Sequence, residues 1–252
     1  MMIEAGSVEF AYARVSARYG ARPDEALWRR IELLRDFAGV LVAVRASPLA
    51  GWVVGVGADA EAHAVEAAAR RRWRQLVAEV AGWMPAAWRP AVLWCALLAD
   101  LPVLLHVAHG GDRAPWLAAD PVYGEVSRRA LKDVDADRSR LLAAASHGAR
   151  RVTDTWRAEW QRRLPCPLAQ TGTLAELVAV LDAHARAFAA AHPADGWPLR
   201  RTLHARVALL FRRAALEPAA AFVYLALAAL EYERVRGELL RRCVFPAQPL
   251  AT

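Results

Sequence analysis

Residues 60–83 read Ala60-Glu61-Ala62-His63-Ala64-Val65-Glu66-Ala67-Ala68-Ala69-Arg70-Arg71-Arg72-Trp73-Arg74-Gln75-Leu76-Val77-Ala78-Glu79-Val80-Ala81-Gly82-Trp83. Val65, Ala69, Trp73, Leu76, Val77 and Val80 recur every three or four positions, the spacing of one face of an α-helix. Arg70, Arg71, Arg72 and Arg74 fall mostly off that stripe. The stretch predicts an amphipathic helix, and every other long segment repeats its period. Alanine supplies 57 of the 252 residues, and it enters a helix without losing side-chain freedom. The β-branched and aromatic runs that strands need are sparse. These features predict an all-α protein. The stretches 40–46 and 52–56 are the most strand-like.

The same reading extends in both directions. Ser7 or Glu9 opens a short first helix carrying Phe10, Tyr12, Val15 and Tyr19, broken by Gly20 and Pro23. Asp24 opens a longer one, with Leu27, Ile31, Leu34, Ala38 and Leu41 on its apolar face, ending at Ser47-Pro48. Pro85 and Pro90 precede an apolar run from Ala91 to Ala108, bent or cut at Pro102. His109-Gly110-Gly111-Asp112 reads as a loop and 114–123 as irregular. A polar helix follows over 124–131, then another from about Asp135 through Arg163, with Gly148 as its break point. Pro165-Cys166-Pro167 is a hard stop that divides the chain into helical bundles over 1–164 and 165–252, packed as one unit. Thr173 and Glu176 have the spacing of a capping box, so a helix should start there and run to about Ala191. Leu199, Leu203, Val207, Leu210 and Phe211 define the next helix. Glu217-Pro218 begins the last, which runs to about Val244.

The formal charge is +7, and Lys132 is the one lysine among 33 basic residues. From Trp197 onward nine arginines face four glutamates, so most of the excess charge lies at the C-terminal end. Such a patch suits an acidic protein, a phosphate backbone or anionic headgroups. Met1-Met2-Ile3-Glu4 lacks the basic and apolar regions of a signal peptide. The apolar run 91–108 contains Asp100, Pro102 and His106, and reads as buried helix rather than a membrane span. Cys95, Cys166 and Cys243 are odd in number and far apart, which fits a reducing compartment and no disulfide framework.

Chemistry-bearing motifs are weak. Gly110-Gly111 lacks the lysine and hydroxyl of a phosphate loop. His106 and His109, with Asp112 nearby, are a candidate metal corner, but a site needs three or four converging ligands. His184 and His192 lack further ligands too. Ser146-His147 has no acid placed by motif. Asp133, Asp135 and Asp137 lack the glycine and glutamate of a calcium loop. Four Trp-Arg neighbours (Trp28-Arg29, Trp73-Arg74, Trp88-Arg89, Trp156-Arg157) fit either a nucleic-acid surface or tryptophans filling a core built from alanine. The core reading is preferred, because charge is nearly balanced outside the C-terminal segment.

Two terminal segments rise above composition. One is Phe10-Ala-Tyr12-Ala13-Arg14-Val15. The other is Tyr224-Leu-Ala-Leu-Ala-Ala-Leu230-Glu231-Tyr232-Glu233-Arg234-Val235-Arg236-Gly237-Glu238-Leu239-Leu240-Arg241-Arg242. Together they resemble the C-type connector of V/A-type rotary ATPases, the counterpart of the d-type connector in eukaryotic V-ATPases. Tyr12, Arg14, Glu231, Glu233 and Arg236 match the family pattern, while Leu230 stands where the family has lysine and Gly237 where asparagine is common. The resemblance implies a funnel-like assembly of helical bundles with pseudo-threefold repetition. It also implies a non-catalytic, peripheral part of the central stalk at the cytoplasmic face of the membrane, with no cofactor or metal. Its partners would be the proteolipid ring and the central shaft, and it would carry torque for proton or sodium transport. Read as physics, Glu231, Arg234 and Glu238 can form a ladder of exposed pairs along one helix. Leu227, Leu230, Val235 and Leu239 supply the packed side. Arg241 and Arg242 are a candidate partner patch. The rival readings are a basic helical nucleic-acid-binding or adaptor protein, and a metal-dependent enzyme at His106, His109 and Asp112.

Overall fold

A computed structural model describes residues 6–109, 120, 123 and 136–245, and among these the regular structure is entirely helical. The Ser7 hydroxyl accepts a hydrogen bond from the Phe10 amide (3.1 Å) and starts α1, Val8–Gly20. The Asp24 carboxylate does the same for the Leu27 amide (2.8 Å) at the head of α2, Glu25–Leu33. Each cap satisfies an amide that the first turn leaves without a partner.

The single helix expected from Asp24 to Ser47 is in fact two. Leu34 is extended, and Asp36 caps a new helix, α3, Phe37–Arg45, by accepting from the Gly39 amide (2.6 Å). The break is held from outside. The buried guanidinium of Arg242, more than two hundred residues later, donates to the Ile31 carbonyl (3.1 Å) and the Leu34 carbonyl (2.8 Å). The Ile31 carbonyl also accepts from the Leu34 amide (3.2 Å), and Arg242 adds a second donor where α2 ends. Of the strand-like stretches, 40–45 lie in α3, and 52–56 run from a 3-10 turn at Ala50–Val53 into a non-regular turn.

Next comes α4, Ala62–Trp83, with the predicted stripe buried. The apolar run that follows is cut into α5 (Arg89–Trp94), a 3-10 turn (Cys95–Asp100) and α6 (Leu101–Ala108). The stretch 89–108 is long and apolar enough to cross a membrane by composition. Here it is broken twice, and Asp100 at its middle is fully buried against Arg74 and Arg138. The polar helix expected over 124–131, and Gly110, Gly111, Asp112, Asp133 and Asp135, lie outside the described residues.

Gly148, at φ 98°, separates α7 (Ala136–Ala145) from α8 (Ala149–Arg162), as its break point predicts. The proposed capping box does not form. Gly172 occupies the cap position, Thr173 is already helical, and Glu176 instead pairs with Arg213 (2.9 Å). The helix it heads is α9, Thr173–Ala190. It is followed by α10, Gly196–Arg213, and α11, Ala219–Val244.

The 26-residue α11 is the axis of the molecule, about 39 Å long at 1.5 Å per residue. Residues 219–225 are buried on every side; beyond them burial narrows to one face. The helix packs along α4 and α1, with α3 on one flank and α9 and α10 on the other. One continuous apolar core therefore spans the Pro165–Pro167 stop. Its alanines leave gaps that large rings fill. Trp52 meets Tyr232 edge-on at 5.7 Å, and Trp160 meets Phe222 edge-on at 5.6 Å. Trp28, Trp52, Trp73, Trp94 and Trp160 are all buried, as the core reading of the tryptophans expects.

Candidate functional site

The charged residues of α11 do not form the exposed ladder that their spacing allows. Glu231, Arg234 and Arg236 reach other elements, and Glu238 pairs within α11. Glu231 binds Arg22, just beyond α1. Arg234 takes Glu25 (3.1 Å) and Glu32 (2.7 Å) of α2. Arg236 takes Glu66 of α4 (2.7 Å), with Glu233 at 3.4 Å on its own helix. Glu238 is buried and binds Arg242 (2.7 Å) and Arg241 (3.3 Å). Leu227, Val235 and Leu239 are buried as predicted, while Leu230 is only partly so. Burial pushes the Glu231 carboxyl above its ordinary value, against the downward pull of Arg22. The hydrogen bond and charge of Arg234 hold Glu25 below its ordinary value.

The remaining predicted residues have separate settings. The Tyr12 ring lies 6.3 Å from Phe211 of α10, and the Arg14 guanidinium sits 5.1 Å above the Trp83 ring. Arg241 is exposed, but Arg242 is 3% exposed and bonded to backbone, so the expected surface pair is a single surface residue. His109 turns back to the Leu105 carbonyl (2.7 Å). His106 instead lines a cleft of about 370 Å³ with His63, Glu66, Glu233 and Arg236. Among the described residues no group of three metal-binding side chains converges. Ser146 and His147 touch (3.1 Å) at an exposed helix end, and Ser146 donates to the Ala143 carbonyl.

A further cluster of charged side chains carries no motif signature. A cleft of about 690 Å³ opens between the start of α2, the start of α10 and the middle of α11. Arg22 and Arg234 form its inner wall, already engaged by Glu231 and Glu25. The Arg234 guanidinium lies between two indoles, 4.4 Å from the Trp28 ring and 5.9 Å from the Trp197 ring. Arg29, Arg200 and Arg201 line the same cleft. Arg29 and Arg201 make no hydrogen bond or ion pair among the described residues, although their fields reach Glu25. Among the described residues, Arg200 lies against the faces of Phe188 (5.1 Å) and Trp197 (5.3 Å). Partial desolvation, then the charges of Arg22 and Arg234, hold the His204 pKa below its ordinary value. The signal for this site is present in the sequence. Trp197, Arg200, Arg201 and His204 fall at i, i+3, i+4 and i+7, one face of a helix.

A second cleft, about 300 Å³ and mostly apolar, lies between α8, α9 and α11, with Trp156, Leu181 and Phe222 in its walls. No family model matches the chain, and no curated protein or solved structure matches it.

Proposed function

We propose that this chain is the non-catalytic connector of a V/A-type rotary ATPase, joining the soluble central shaft to the membrane proteolipid ring and transmitting torque for ion transport. One observation carries the reading. The two segments that hold the resemblance meet in a single clamp: α1 packs on α11, and Arg22–Glu231, Arg234–Glu25, Arg234–Glu32 and Arg236–Glu66 tie α11 to the turn after α1, to α2 and to α4. A part that carries torque has to resist shear between its helices. Ion pairs between different helices serve that need, where a ladder along one helix would not.

In this proposal Arg241 is available to acidic loops of a partner.

Affinity purification of the tagged chain from gently solubilised membranes of its native cells tests the reading. Proteolipid and soluble ATPase components should co-purify at fixed stoichiometry. A chain that purifies alone, or with nucleic acid that a salt wash removes, overturns it.

A further inference from the structure

We infer that the cleft between α2, α10 and α11 is a binding site for a ligand carrying adjacent phosphate groups, gripped by Arg29, Arg200 and Arg201. This does not depend on the connector reading, since it concerns the isolated chain.

The argument starts from how charge is distributed inside the cleft. The inner guanidiniums, Arg22 and Arg234, already have carboxylate partners within the protein. The outer three do not. A single incoming carboxylate would have to compete with Glu25 and Glu231 for the inner pair. A ligand with several adjacent anionic groups can instead engage the outer three together. Guanidinium is planar and donates in parallel pairs, which matches phosphate oxygens, and it is more weakly hydrated than an ammonium. Asp24, Glu25 and Glu231 offset part of the charge of the cleft's five arginines, and the cationic surplus that remains is costly until an anion enters; a cleft focuses that potential. The volume of about 690 Å³ lies within the range of small-molecule sites.

The surroundings fix the site's shape. Arg234, paired with Glu25 and Glu32 and 4.4 Å from the Trp28 ring, forms a cationic wall. Trp197 is 41% exposed, so its free surface adds an apolar edge beside the arginines. Adjacent phosphates occur both in soluble oligophosphates and in phosphorylated lipid headgroups, and both present the same chemistry to this cleft.

Calorimetric titration of the purified full-length chain with inorganic tripolyphosphate tests the inference. Binding at one site is expected, with affinity falling at least tenfold in Arg200→Ala/Arg201→Ala. Both side chains lack carboxylate partners, so the variant should fold, and circular dichroism checks that it does. Arg206→Ala/Arg212→Ala removes the same charge from exposed positions of α10 outside the cleft, and affinity should stay within twofold. Vesicles of phosphatidylcholine with and without phosphatidylinositol bisphosphate distinguish the sources. Tripolyphosphate-sensitive binding to the phosphorylated vesicles assigns a headgroup, and binding of tripolyphosphate alone assigns a soluble ligand. Absence of tripolyphosphate binding, an equal loss in the control variant, or equally tight binding of a hexaglutamate peptide overturns the inference.

Discussion

Replacing Arg242 by methionine should cost about 3–5 kcal/mol of stability, the range for breaking a buried charged pair. The guanidinium is 3% exposed and serves two elements at once. It donates to the Ile31 and Leu34 carbonyls at the end of α2, and to both the carboxylate (2.7 Å) and the carbonyl (2.6 Å) of Glu238. Methionine refills much of the stem, so the loss is polar rather than a cavity. It leaves the Leu34 carbonyl without the Arg242 donor, the Ile31 carbonyl with the Leu34 amide alone, and Glu238 with Arg241 alone. Bonds to a charged group contribute about 1.5–3 kcal/mol each. They share one guanidinium here and do not add, so the pair-breaking range is the better guide. Arg241→Ala removes the same charge one residue away, from a side chain 58% exposed, and should cost no more than about 1 kcal/mol. Arg242→Met/Glu238→Leu removes both buried charges and should recover about 1 kcal/mol or more relative to Arg242→Met. Urea denaturation followed by far-UV circular dichroism measures all three. If Arg242→Met proves as stable as Arg241→Ala, or the double variant no better than Arg242→Met, the account of Arg242 as an internal cap is wrong.

Asp100→Asn should destabilise by about 3–5 kcal/mol, because it leaves Arg74 and Arg138 beside a neutral group at a fully buried position; a urea midpoint equal to wild type would count against this. His204 has a folded pKa below its ordinary 6.5, so its contribution is intact above about pH 6.5 and is lost as pH falls through the folded value. The wild-type Tm should therefore drop more steeply between pH 7 and 5 than that of His204→Gln, and parallel slopes would contradict it. Leu216 turns from α10 to α11 at φ 60° with its side chain 59% exposed. Left-handed backbone costs a branched residue about 1–2 kcal/mol, and glycine gives back up to about 1 in chain entropy. Leu216→Gly should be neutral to slightly stabilising in a thermal melt, and a marked fall in Tm would refute the strain argument.

The helical class was legible because the stripe on α4 and the face of α10 are long and regular, and because prolines and Gly148 punctuate where they must. The break inside 24–47 was not. Its apolar period continues through Leu34, and the residue that stabilises the break, Arg242, is distant in sequence. The capping box failed for a local reason: Gly172 takes the cap's unusual backbone, φ 34°, leaving Thr173 inside the helix. The charges of α11 were legible as a pattern but not as partners. A spacing of three and four states what can meet on one helix, whereas Glu25, Glu32 and Glu66 arrive from others. The arginine cleft was half legible. Trp197, Arg200, Arg201 and His204 share a face by spacing alone, but the convergence of Arg29 and Arg22 on it is a product of packing.

The all-round burial of residues 219–225 sets an order of events during synthesis. The strip of α4 that receives α11 emerges from the ribosome about 135 residues earlier. At 5–20 residues per second, that greasy face waits roughly 7–27 s for its cover. Until α11 emerges, the apolar face of α4 lacks its cover, and a chain ending before residue 219 lacks the helix around which the core is built.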